Sequence, residues 1–137
     1  KDQNTQISKD LKSSQIKLID FYIDLWLNQT EKINSFNFLF KKLNLEPSFV
    51  KSLCLGLGRK LENHIIILIT ESNNRFSIFS SVSESVVETS NVSASEIITS
   101  ICNSIGGSGG GQVKFAAGSG PKTDEIEQII SKLIDTF

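Results

Sequence analysis

The sequence is poor in the residues that build metal and redox sites. Its 137 residues include two cysteines, one histidine and no methionine. One histidine and two cysteines do not supply the four ligands of a structural zinc site, so we expect no metal centre. Cys54 and Cys102 each lie in an apolar stripe with helical spacing. This pattern favours reduced, buried thiols and a reducing compartment such as the cytoplasm.

Long apolar runs are also absent. No stretch approaches the roughly 18 consecutive apolar residues of a membrane span, and no basic-plus-apolar signal segment opens the chain. We therefore expect no membrane partner. The absence of methionine, even at position 1, predicts a fragment of a longer protein or a processed product. The length suits about one domain.

Acidic and basic residues nearly cancel but are unevenly distributed. The formal net charge is −1, which argues against a strongly nucleic-acid-binding domain. Residues 34–69 carry five basic and two acidic side chains, and residues 106–122 carry two lysines and no acid. If the fold brings these segments together, the patch could bind a phosphate backbone weakly and in a salt-dependent way. Ordinary solvated surface is the alternative.

Glycine is concentrated in one stretch. Seven of the nine glycines fall within residues 106–120. Because glycine loses the most conformational entropy on folding, we expect a built loop with left-handed dihedrals or a close backbone approach. The backbone N–H groups of such a loop, lying beside the ends of helices, would be placed to bind a phosphate group. A flexible linker is the alternative, but Val113, Phe115 and Ala117 alternate with polar or small residues as in a strand.

Recognisable catalytic motifs are missing. The glycine run lacks the Gly-Lys-Ser/Thr ending of a P-loop, and it follows a helical pattern rather than a strand. His64 has no neighbour that suggests a triad, and no serine occupies a nucleophile elbow. We therefore predict no catalytic residue in this chain.

Hydrophobic periodicity predicts an α/β domain with a mixed sheet behind a leading, coiled-coil-like helix. The helix, with heptad-like apolar positions from Ile7 to Leu25, forms a segment over 1–33, and the globular domain covers 34–137. The predicted elements after the leading helix are a strand at 35–43, a helix from Pro47 to Glu62, strands at 64–70 and 75–82, a polar loop at 83–91, a helix capped by Ser93 or Ser95, the glycine loop, a strand, and a last helix opened by Pro121.

The stretch NSIGGSGGGQVKFAAGSG resembles the signature of the DHHA1-type domain of alanyl-tRNA synthetases, Gly-Gly-Lys-Gly-Gly-Gly-Arg-Pro-Asp-x-Ala-Gln. The glycine spacing and Phe115-Ala116 match. Ser108 and Gln112 replace the two basic residues of that signature, which implies weaker phosphate binding. Segments INSFNFLFKKL, EPSFVKSLCLGLGRKLEN and HIIILITESNNRFSIFSSV resemble the same family at the level of pattern.

The resemblance implies a non-catalytic tRNA-binding and assembly module that contacts the outer corner of tRNA. The implied partners are alanine-specific tRNA, the other domains of a parent alanine–tRNA ligase, and a second copy through the N-terminal helix. ATP and zinc are expected only in upstream domains of the parent. The implied RNA-binding residues are Gly107, Ser108, Gly109, Gly110, Gly111, Gln112, Lys114, Lys122, Arg59 and Lys60.

Two other functions stay open. The outward face of Leu18–Leu27 could make the chain a protein-interaction or dimerisation module with little RNA binding, as its net acidity favours. A nucleic-acid-binding half of a DHH-type phosphoesterase is less favoured. Those proteins tend to have Gly-Gly-Gly-His-Pro at the turn, and no histidine follows the glycines here.

Overall fold

A computed structural model describes residues 18–33 and 36–135. Its six strands form one mixed sheet in the order β1-β2-β3-β4-β6-β5. The strands are β1 (Glu31–Ile33), β2 (Phe36–Leu43), β3 (His64–Ser72), β4 (Arg75–Val82), β5 (Ser108–Gly111) and β6 (Phe115–Pro121). The helices are α1 (18–27), α2 (Pro47–Lys60), α3 (Glu84–Ser90), α4 (Ala94–Ile105) and α5 (Ile126–Ile134).

The centre of the sheet is β3, whose first seven residues are all buried. It runs parallel to β2 and antiparallel to β4, while β6 extends the sheet antiparallel to β4. A strand covered on both faces needs apolar side chains pointing both ways. The uninterrupted isoleucine and leucine run from Ile65 to Ile69 supplies them.

Alternation along the strands divides the interior into two cores. One face carries Ile65, Ile67 and Ile69 and packs under α3, α4 and α5. The other carries Ile66 and Leu68 and packs under α1 and α2. The predicted mixed-sheet α/β fold with a leading helix is therefore confirmed.

Helix α1 is apolar on two sides. Ile23 and Trp26 are buried against α2, where Gly56 leaves room for Ile23. Leu18, Phe21 and Leu25 are exposed on the helix. Their spacing of three and four residues forms an outward apolar stripe. The earlier heptad positions of this pattern lie outside the described residues.

Three local predictions were wrong. Residues 84–90 form the short helix α3 instead of a loop, and the glycine segment 108–111 is the edge strand β5. Pro121 ends β6, paired with Arg75, and helix α5 begins later, at Ile126. The domain boundary after residue 33 falls between β1 and β2 and stays a prediction.

Candidate nucleic-acid interface

The candidate site is the hairpin formed by β5 and β6. Its turn is held by backbone hydrogen bonds on three sides. The Gln112 N–H donates to the Phe115 carbonyl at 2.9 Å across the turn, and the Val82 N–H donates to the Lys114 carbonyl at 2.9 Å. The Ala94 N–H donates to the Val113 carbonyl at 2.8 Å. These bonds fix the backbone of the turn against β4 and the start of α4.

The hairpin does not form the expected cradle of N–H groups. Antiparallel pairing alternates hydrogen-bonded and non-hydrogen-bonded pairs, and the Gln112–Phe115 bond sets this alternation. By the same register, Gly109 and Gly111 direct both their N–H and their C=O groups away from β6. An edge that mixes donors with acceptors lacks the convergent N–H groups of an anion nest. The predicted cradle is therefore wrong, because the N–H groups of β5 do not converge on one point.

The helix end nearest the glycines also disfavours an anion. Gly106 ends α4 with a φ of 81°, and the Gly107 N–H donates to the Cys102 carbonyl at 2.7 Å. This is a helix C-terminus, which carries the negative end of the helix dipole. The α4 dipole therefore gives no attraction for phosphate at the Gly106 end of the hairpin.

The glycines instead let α4 approach the hairpin. A Cβ at Gly118 would lie 2.5 Å from Cys102 Sγ, and one at Gly120 would lie 2.6 Å from Ile105 Cδ1. A Cβ at Gly109 would lie 2.8 Å from Ile98 Cγ2. The close backbone approach expected from the glycine content is real, but the approaching body is the protein's own helix.

The predicted cations lie in three separate places. Lys114, in the hairpin turn, pairs with Glu84 of α3, with Nζ 3.5 Å from Oε2. Lys122, at the far end of β6, pairs with Glu71, with Nζ 2.7 Å from Oε1. Arg59 and Lys60 end α2, which covers the opposite face of the sheet from α3. Lys60 Nζ lies 3.9 Å from Asp24 Oδ1.

Of the other predicted residues, Ser108 begins β5 and Gln112 directly follows it, and both are exposed. Phe115 is half-buried and packs against the core under α1 and α2. The ten predicted residues thus do not form one cluster.

Sequence reasoning missed the acidic partners of the two lysines. The Glu71 hydrogen bond, followed by the Glu71 charge, raises the pKa of Lys122. The register explains the contact, since Ser72 pairs with Arg75 and Arg75 pairs with Pro121. Only the pairing of distant strands brings Glu71 beside Lys122, so no local pattern could have revealed it.

The titratable groups in the core have structural partners. His64 is buried, its Nδ1 lying 2.8 Å from the Leu61 carbonyl and its Nε2 3.0 Å from Ser81 Oγ. A carbonyl only accepts, so Nδ1 carries the proton and Nε2 accepts from the serine hydroxyl. Burial raises the pKa of both the Cys54 and the Cys102 thiols. Within 18–33 and 36–135, no group of three or more His, Cys, Asp or Glu residues is arranged to hold a metal ion.

Comparison with known proteins places the chain in a family. The profile of the DHHA1 domain matches residues 35–137. The chain belongs to the DHHA1 domain family. In the part of this DHHA1 chain that the structure describes, no helix is both long and apolar enough to cross a bilayer.

Curated relatives of this DHHA1 chain are alanine–tRNA ligases. The protein of that name from Flavobacterium psychrophilum is 27% identical over 134 residues, which cover 98% of this chain and 15% of the relative. The Rickettsia akari protein is also 27% identical, with 96% and 15% covered. The chain thus spans about 15% of the length of these relatives.

A solved structure shares the fold. The C-Ala domain from Aquifex aeolicus alanyl-tRNA synthetase superposes with a TM-score of 0.70 at 20% sequence identity. The match covers 77% of this chain and 95% of that domain.

Proposed function

We propose that this chain is a C-terminal, non-catalytic module of an alanine–tRNA ligase and that it contacts the outer corner of tRNA. The observation that carries the proposal is the similarity of nearly the whole chain to a segment of about 15% of such ligases. The parent enzyme would attach alanine to tRNA with ATP, in the cytoplasm, using domains outside this chain.

The surface chemistry supports weak, backbone-directed RNA contact. The strongest candidate is the hairpin turn, where Gln112, Val113 and Lys114 are exposed on a backbone fixed by hydrogen bonds. A fixed backbone lowers the entropic cost of presenting these side chains to a ligand. Arg59 and Lys60 extend basic charge around the same end of the sheet, since α2 ends just before His64, where β3 starts.

Titration of the chain with folded tRNA at low and moderate salt tests the proposal. We expect weak binding whose logarithmic salt slope is about −0.7 to −0.9 per phosphate contacted. Lys114→Glu should weaken binding to alanine-specific and other tRNAs about equally, because a phosphate contact reads no base. Lys132→Glu is the matched control, a charge reversal on the exposed side of α5. No binding at low salt would contradict the proposal.

A second function rests on α1. Its outward stripe, Leu18, Phe21 and Leu25, is 45–60% exposed, which is unusual for three large apolar residues on one helix face. We propose that the stripe pairs with α1 of a second copy in a coiled-coil-like contact. Sedimentation of the chain should show a dimer, and Phe21→Glu should convert it to a folded monomer whose Tm no longer depends on protein concentration. A wild-type monomer at tens of micromolar would contradict this function.

A further inference from the structure

Two lysines bracket strand β6, and the fold holds them differently. Lys114 precedes the strand and Lys122 follows it. At about 3.3 Å per residue, the two backbone positions lie roughly 25 Å apart. The two cations are therefore separate contact points, and each can be judged by its own surroundings.

Lys122 is held through both its backbone and its side chain. Its N–H donates to the Asn74 carbonyl at 3.1 Å, and its Nζ is hydrogen-bonded to Glu71 at 2.7 Å. The two side chains are 39% and 29% exposed, so water only partly screens the pair. These contacts tie the end of β6 to the hairpin between β3 and β4.

Lys114 is fixed only through its backbone. Its carbonyl accepts the hydrogen bond from Val82, but its Nζ lies 3.5 Å from Glu84 Oε2, and the two side chains are 58% and 68% exposed. Exposed ion pairs of this length contribute little, because solvent screens the charges and both side chains lose freedom. A phosphate oxygen can displace Glu84 at small cost, since it offers Lys114 the same charge-assisted contact.

We propose that the two lysines have different roles. Lys114 is the exchangeable phosphate contact, and Glu84 competes with phosphate for it. Lys122 is a structural residue that Glu71 keeps in place. Glu84 thus sets the affinity of the hairpin turn for RNA, although it touches no RNA itself. This inference rests on the proposed function.

The binding experiment compares three charge-neutralising variants with the wild-type chain on folded tRNA at low salt. All three variants, Glu84→Gln, Glu71→Gln and Glu88→Gln, remove one negative charge. The net charge of the chain, and its long-range electrostatic attraction for RNA, therefore changes by the same amount in each. We expect Glu84→Gln to tighten binding by about two- to fourfold, and the other two by less than about 1.5-fold. Glu88, one turn further along α3 and exposed, is the control for charge near the turn.

A double-mutant cycle separates competition from repulsion. In a Lys114→Ala background, Glu84→Gln should no longer tighten binding, because the competed-for cation is gone. If Glu84→Gln tightens binding equally with and without Lys114, the carboxylate acts only by long-range electrostatic repulsion of RNA. The proposed competition for Lys114 is then wrong. Equal tightening by Glu71→Gln and Glu84→Gln would overturn the division of roles.

Charge exchange tests the structural role of the second pair. Lys122→Glu alone should lower Tm by about 2 °C, and adding Glu71→Lys should restore both Tm and tRNA affinity. The corresponding double variant, Lys114→Glu with Glu84→Lys, should have a Tm near that of the wild type but should still bind tRNA more weakly than the wild type. Recovery of affinity by this second exchange would overturn the role of Lys114.

The failure of this inference can be told from that of the proposed function. Should neither the wild type nor Glu84→Gln bind tRNA at low salt, the proposed function and the role of Lys114 both fail. The Tm values still decide the role of Lys122. If the wild type binds tRNA and all three glutamine variants change the affinity equally, only the present inference is overturned.

Discussion

Strand β3 and the hairpin of β5 and β6 face the same helical layer with different atoms. The central strand presents Ile65, Ile67 and Ile69 to the core under α3, α4 and α5. On the same face, the hairpin presents Gly109, Gly118 and Gly120, whose backbone touches side chains of α4. At the centre of the sheet, side chains fill the interior. At the hairpin, the glycines have no side chains, and this lets the backbone contact α4. Packing against α4 therefore explains Gly109, Gly118 and Gly120 without any ligand.

The largest loss of stability is expected from a substitution at the centre of the sheet. Ile67→Ala removes a fully buried side chain between β2, β4 and the helices. We expect a loss of about 3–4 kcal/mol in unfolding free energy, from lost transfer energy and the cavity left behind. Urea denaturation measures it. Leu55→Ala, on the exposed side of α2, is the control and should cost far less. A loss below about 1 kcal/mol at Ile67 would contradict the proposed importance of this strand.

Adding a side chain at the edge should have the next largest effect. Gly118→Val places atoms where Cys102 Sγ and Ile98 Cγ2 lie, at 2.5 and 2.9 Å from the new Cβ. Overpacking of this kind costs about 2 kcal/mol. Cys102→Ala should recover part of the loss in the double variant, because the two sites share one space. Strict additivity of the two substitutions would show that α4 does not set the requirement for glycine.

The smallest effect is expected one strand away, at Gly110. A Cβ there meets no described atom within 4 Å, and the residue does not take a positive φ. Gly110→Val should change the unfolding free energy by less than about 0.5 kcal/mol, since valine suits an extended backbone and restricts the unfolded chain. The left-handed dihedrals expected from the glycine content are not found at Gly110. Gly111→Val is the contrast, because its Cβ would lie 2.7 Å from Ala116 Cα.

Elements with strong local patterns were predictable. The apolar run of β3 and the helical spacing after Pro47 gave bounds close to those of the structure, and Ser93 caps α4 by accepting a hydrogen bond from the Glu96 N–H at 3.2 Å. In these segments one periodicity extends over many residues, so local sequence and tertiary packing agree.

Elements defined by distant contacts were not predictable. Helix α3 buries only Val86, and the hydroxyl of Ser85, in its first turn, donates to the Asn63 side-chain oxygen, 22 residues away. The edge strand β5 has almost no side chains and is ordered by its pairing with β6. The same dependence on register hid both acidic partners of the candidate site. The cations were found from sequence, but their ion pairs needed the fold.

The buried ring of His64 has a consequence for proton linkage. Burial lowers the pKa of His64 below its ordinary value, and the Leu61 carbonyl only partly offsets this effect. In the unfolded chain the same ring titrates near pH 6.5. Below that pH the unfolded state binds a proton that the folded state refuses, so stability falls as pH falls toward the lowered folded pKa.

The linkage predicts an acid-sensitive domain. Unfolding free energy should decrease between pH 7.5 and 5.5, and His64→Gln should flatten the curve in this window even if it lowers stability throughout. Urea denaturation across that range measures both slopes. Parallel curves for the two proteins would mean that His64 takes up its proton equally well in the folded state. If the curves differ as expected, acidification alone loosens the start of β3, where Ser81 and the end of α2 meet.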